Sequence, residues 1–102
     1  MHAVIAAKRG DLAGLCRRHG VARLEVFGSA ARETDFDPAR SDADFLVEFT
    51  PAARAGFEAV LDLKTAMECL LGRRVDLVEF RAIKNPYILA GINRSRELVY
   101  AA

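Results

Sequence analysis

Val26-Phe27-Gly28-Ser29 and, after a twelve-residue spacer, Asp42-Ala43-Asp44-Phe45-Leu46-Val47 carry two patterns: an apolar run stopped by a Gly-Ser turn, and two carboxylates one residue apart leading into a second apolar run. Successive side chains of a strand point to opposite faces, so Asp42 and Asp44 project from one side while Ala43, Phe45 and Val47 point to the other. Two like charges on one edge call for a cation. If the Gly-Ser turn opens a helix, it presents free backbone N–H groups and a positive dipole end to an anion such as phosphate. Glycine there removes the side chain that would keep a ligand from the backbone. Ser29 reads equally as a helix N-cap, a role compatible with donating to phosphate. A divalent metal held by paired carboxylates beside a phosphate cradle is equipment for phosphoryl or nucleotidyl transfer.

Outward from this stretch, residues 2–19 read as one helix with Ile5, Leu12, Leu15 and Cys16 at helical spacing and His19-Gly20 as its stop. Val21 to Phe27 reads as the first strand and Asp44 to Phe49 as the second. Residues 57–71 give a helix whose stripe includes Phe57, Val60, Leu61, Met67, Leu70 and Leu71, closed by Gly72. A third strand over 75–80 carries Asp76; an aspartate among valine and leucine needs a partner if it is buried. Asn85-Pro86 reads as N-cap and first residue of a last helix, and Glu97 to Tyr100 as a closing strand. The acidic run from Asp35 to Asp44 is not an EF-hand loop, because Arg40 and Leu46 stand where glycine and glutamate are needed.

The 102 residues make one small domain, 1–102, with no room for a second substrate-binding domain. A net charge of +1 argues against a strongly basic nucleic-acid surface, so no direct nucleic-acid binding is expected. No apolar run reaches the roughly 18 residues of a membrane span. The two cysteines, Cys16 and Cys69, lack metal-site spacing and read as reduced, buried residues of a cytoplasmic protein.

Gly28-Ser29, the spacer, Asp42-Ala43-Asp44 before Phe-Leu-Val, and a later strand with Asp76 together resemble the polymerase-β-like nucleotidyltransferase superfamily. The likeness is to its short branch, the minimal nucleotidyltransferases (MNT), and it runs along almost the whole chain. It implies an α/β (α+β) nucleotidyltransferase fold, a small mixed sheet of order 1-2-3 flanked by helices. It also implies that Asp42, Asp44 and Asp76 are catalytic and hold Mg²⁺, two ions in all, with ATP as substrate. Gly28, Ser29 and Arg32 would hold the nucleotide phosphates; Arg32 reads equally as pairing with Glu33, Asp35 or Asp37 to order the loop.

Two departures are visible. Glu33 replaces the small residue usual after that arginine, and the spacer is a couple of residues longer than is common in the family. An added acid near a phosphate site weakens anion binding. MNT proteins typically act as antitoxins beside a HEPN-domain toxin, as in type VII-like pairs, and transfer AMP from ATP to a toxin tyrosine. The resemblance therefore implies a hetero-oligomer with a HEPN partner and a Mg-dependent protein adenylyltransferase. The alternatives are an antitoxin that neutralises its partner by binding alone and, third, a transferase acting on a small molecule.

Overall fold

In the computed structural model, which describes residues 1–28, 31, 42–53 and 56–102, the two apolar runs flanking the Gly-Ser turn form the centre of a sheet. β1 (Val21–Phe27) and β2 (Ala43–Phe49) pair antiparallel, from Val21 opposite Phe49 to Phe27 opposite Asp44. β3 (Val75–Glu79) lies parallel to β2, and β4 (Glu97–Ala101) lies antiparallel to β1 on its other side. The order is thus β3-β2-β1-β4. The expected run of strands 1, 2 and 3 is present, and the closing strand extends it beyond β1.

A parallel pair needs a crossover, because the chain must return to the end from which it started. Among the described residues four helices stand around the sheet: α1 (Ala3–Ala6), α2 (Arg9–Arg18), the crossover α3 (Phe57–Leu71) and α4 (Pro86–Asn93). Strand alternation sorts the side chains. Ala43, Phe45, Val47 and Phe49 of β2 and Leu24 and Val26 of β1 enter one core with Leu12, Leu15 and Cys16 of α2 and Leu63, Met67 and Leu71 of α3. Asp44 and Glu48, half-buried, and the buried Leu46 alternate with them toward the other face.

Several expectations change. The helix expected over 2–19 is two helices, because the amide of Lys8 donates to Ile5 three residues back and tightens the turn between them. His2, with no role assigned from sequence, caps α1 by accepting the Val4 amide on Nδ1 at 3.1 Å. The 57–71 helix has the expected bounds, and Gly72 ends it at φ +65°. Its inward line is Leu63, Met67, Leu71, however, and Phe57 (82% exposed) and Leu61 (46%) face outward. Cys16 is buried, which pushes its thiol up to about 12, whereas Cys69 is exposed. β3 is shorter than expected and passes into a 3₁₀ turn at Phe80–Ala82. Asn85 does cap α4, its Oδ1 accepting the Tyr87 amide at 2.9 Å with Pro86 following it. Among the described residues no helix is long and apolar enough to cross a membrane.

Candidate functional site

β1 ends with Phe27 opposite Asp44, and Gly28 follows at φ +69°, a left-handed backbone that a β-carbon disfavours. The Ala31 amide donates to the Gly28 carbonyl at 3.1 Å. A β-carbon on Gly28 would stand 2.7 Å from Asp44 Oδ2. Two separate demands therefore fall on this glycine. The space it leaves is taken up by the Asp44 carboxylate rather than left to a ligand alone. Its amide, expected among the free donors of an anion cradle, donates instead to Ser95 Oγ at 3.0 Å.

Asp44 is half-buried and stands in register with Asp76 across the parallel β2–β3 pair. Side chains at matched positions of neighbouring strands share a face, so the two carboxylates belong to one edge of the sheet. Asp76 is exposed, so the argument that burial forces a partner on it does not apply. Asp42 lies one residue before β2, exposed, its Oδ1 3.4 Å from the Arg74 guanidinium. The Arg73-Arg74 pair thus supplies at least one cation to the acidic edge. The structure brings Gly28, Asp44 and Asp76 together and sets Asp42 beside them. Ser29 and Arg32, with Glu33, Asp35, Asp37, Arg40 and Ser41, lie outside the described residues.

Carboxylate oxygens suit a hard divalent cation such as Mg²⁺, and the glycine cradle beside Asp44 fits a crowded anionic site. Among the described residues no group of three acidic, histidine or cysteine side chains is gathered as a ligand set.

On the face of the sheet carrying Asp44 sits an ion pair not foreseen from sequence. Glu25 of β1 is 3% exposed and is held by Arg23 Nε and by Arg96, through Nε to Oε2 and through the second guanidinium nitrogen to Oε1 at 2.9 Å. The hydrogen bond from Arg96 is the first cause that holds the Glu25 carboxyl below its ordinary value, and the same bond raises Arg96. Arg96 also donates to Asn93 Oδ1 at 2.8 Å and lies over the Phe80 ring, 5.4 Å from its centroid. A shallow hollow open to solvent is lined by this pair with Leu46, Glu48 and Phe80. The carboxylates of the acidic edge do not line it. A glutamate between Leu24 and Val26 was the available signal, since a charge inside an apolar strand must find a partner.

A family model described as nucleotidyltransferase domain matches residues 12–99. A Methanocaldococcus jannaschii protein, provisionally named a protein adenylyltransferase, is 41% identical over 88 residues, 84% of this chain and 82% of that protein. A solved structure described, again provisionally, as a minimal nucleotidyltransferase superposes with a TM-score of 0.75 at 36% identity, covering 95% of both chains. A chain from a complex of tri-AMPylated Shewanella oneidensis HEPN toxin with MNT antitoxin superposes with a TM-score of 0.69 at 17% identity, covering 96% of this chain and 73% of that one. At that identity the likeness shows the fold alone.

Proposed function

The chain belongs to the nucleotidyltransferase domain family, an enzyme family, and we propose that within it this single domain is the antitoxin of a type VII-like HEPN/MNT pair, moving AMP from ATP to a tyrosine of its HEPN toxin. The observation that carries the reading is the register of Asp44 with Asp76 beside Gly28, with Asp42 two residues back against Arg74. The name of the M. jannaschii relative and the AMPylated toxin in the S. oneidensis complex support a protein acceptor. We place the pair in the cytoplasm, where unpaired thiols such as Cys16 and Cys69 persist.

Asp42, Asp44 and Asp76 would hold Mg²⁺, which when bound neutralises triphosphate charge and favours loss of pyrophosphate. Gly28, Ser29 and Arg32 would seat the phosphates, and Arg74, beside Asp42, adds a cation within reach of the same edge. The acceptor hydroxyl attacks the α-phosphorus, the bond to the bridging oxygen breaks, and pyrophosphate leaves. Asp76, exposed on β3, would take the hydroxyl proton. Alignment of these groups supplies most of the rate, as in phosphoryl transfer generally.

The test is the intact mass of the protein that co-purifies with this chain, compared between wild type and Asp42→Asn/Asp44→Asn. Adenylylation of the partner by wild type alone is the expected result. An unmodified partner bound equally by both proteins overturns the transferase reading and leaves neutralisation by binding.

A further inference from the structure

We propose that Ser95 and the Glu25–Arg96 pair are positioning residues for the transfer site, holding Gly28 in the conformation that makes room for the Asp44 carboxylate. The inference rests on the transferase reading above. Its starting point is the turn after α4, closed by the Ser95 and Arg96 amides donating to the Ile92 carbonyl at 3.1 and 3.0 Å. From this turn two neighbouring side chains reach the same strand. Arg96 grips Glu25, and Ser95 accepts the amide of Gly28 three residues further along.

The grip is rigid for a physical reason. Arg96 bonds Glu25 through two nitrogens and Asn93 through the third, with Phe80 below the guanidinium plane. A planar fork so engaged has no rotamer left to explore. Glu25 is buried, so a slipping turn would leave its carboxylate with Arg23 alone, a costly loss of bonds to a buried charge. The turn therefore carries Ser95 to a fixed height beside the end of β1.

What Ser95 fixes there matters for chemistry. Gly28 is the most permissive residue type, and at φ +69° its amide is accepted by the Ser95 hydroxyl while its carbonyl accepts from the Ala31 amide, so removing the hydroxyl takes away one of the two bonds that hold it. Any other conformation moves the backbone against which Asp44 Oδ2 rests. A carboxylate misplaced by a fraction of an ångström leaves nucleotide binding largely in place and degrades alignment, so the loss falls on kcat more than on KM.

The experiment uses the full chain with its co-expressed partner and compares wild type, Ser95→Ala and Ser95→Thr. Four quantities are read: Gly28 amide hydrogen exchange by NMR, the thermal midpoint, and kcat and KM for ATP in transfer to the partner. Ser95→Ala is expected to speed Gly28 exchange at least about tenfold and lower kcat about 10- to 100-fold, with KM within about threefold of wild type. Ser95→Thr, which keeps the hydroxyl, should recover both. Unchanged Gly28 exchange in Ser95→Ala, or fast exchange with wild-type kcat, overturns the positioning role. A wild type that binds its partner and transfers nothing overturns the proposed function first, and is told apart because it appears before any substitution.

Discussion

Replacing Gly28 by alanine separates what the backbone needs at this position from what the site needs. Alanine at φ +69° pays the left-handed penalty of about 1–2 kcal/mol. Its β-carbon would meet Asp44 Oδ2 at 2.7 Å, against ordinary contact beginning near 3.4 Å, so the carboxylate must retreat by about 0.7 Å. An aspartate side chain can do this by turning off its rotamer for about 0.5–1.5 kcal/mol. The total, about 1.5–3.5 kcal/mol, corresponds to a drop in thermal midpoint of about 6–28 °C for a domain this size. Transfer should fall further, about 30- to 100-fold at a temperature where the variant stays folded, since a displacement near 1 Å can cut a rate by about two orders of magnitude. Gly72→Ala is the control. Gly72 also has a positive φ, +65°, with nothing within 4 Å of an added β-carbon, so it should lose about 1–2 kcal/mol and none of the transfer. Melting curves with transfer assays well below both midpoints decide the matter. A Gly28→Ala protein with wild-type transfer, or a Gly72→Ala protein with equal loss of transfer, refutes the reasoning.

Three further outcomes follow from the same contacts. The Glu25 carboxyl is held below its ordinary 4.5, so its contribution to stability is complete above that value and is lost as pH falls through the depressed folded value. Glu25→Gln should therefore cost about 2–3 kcal/mol at neutral pH in chemical denaturation, and the gap to wild type should narrow with acidification; a gap independent of pH contradicts the ion pair. Leu63→Ala should cost about 2–5 kcal/mol and Leu61→Ala within about 0.5, because the first is fully buried and the second faces outward. Asp76→Asn, at an exposed position, should leave the melting curve within about 0.5 kcal/mol while lowering transfer about 10²- to 10⁴-fold; transfer kept at the wild-type rate removes Asp76 from the proton-transfer role.

Local pattern was enough for most of the elements. The alternation through Phe45, Val47 and Phe49 announced β2, Gly72 announced the end of α3, and Asn85-Pro86 announced the start of α4, because periodicity and caps act over a few residues. It was not enough where a residue's fate depends on what packs above it. The apolar stripe read from the sequence took in Phe57 and Leu61 and passed over Leu63, and Cys69 looked like Cys16, because only packing decides which helix face meets the sheet. The tightened turn at Lys8 likewise divides a stretch whose apolar spacing is helical throughout.

For the site, the sequence by itself determined which residues are available and in what order: Gly28 at a turn, the carboxylate pair Asp42 and Asp44, and the Asp76 carboxylate on a later strand. Only the tertiary structure decided their relations. β2–β3 register set Asp44 level with Asp76, and the positive φ of Gly28 opened space that Asp44 takes up. Arg96, 71 residues from Glu25 along the chain, became its partner. Strand register and long-range ion pairs depend on how distant segments dock, a property that the order of residues near any one position does not record.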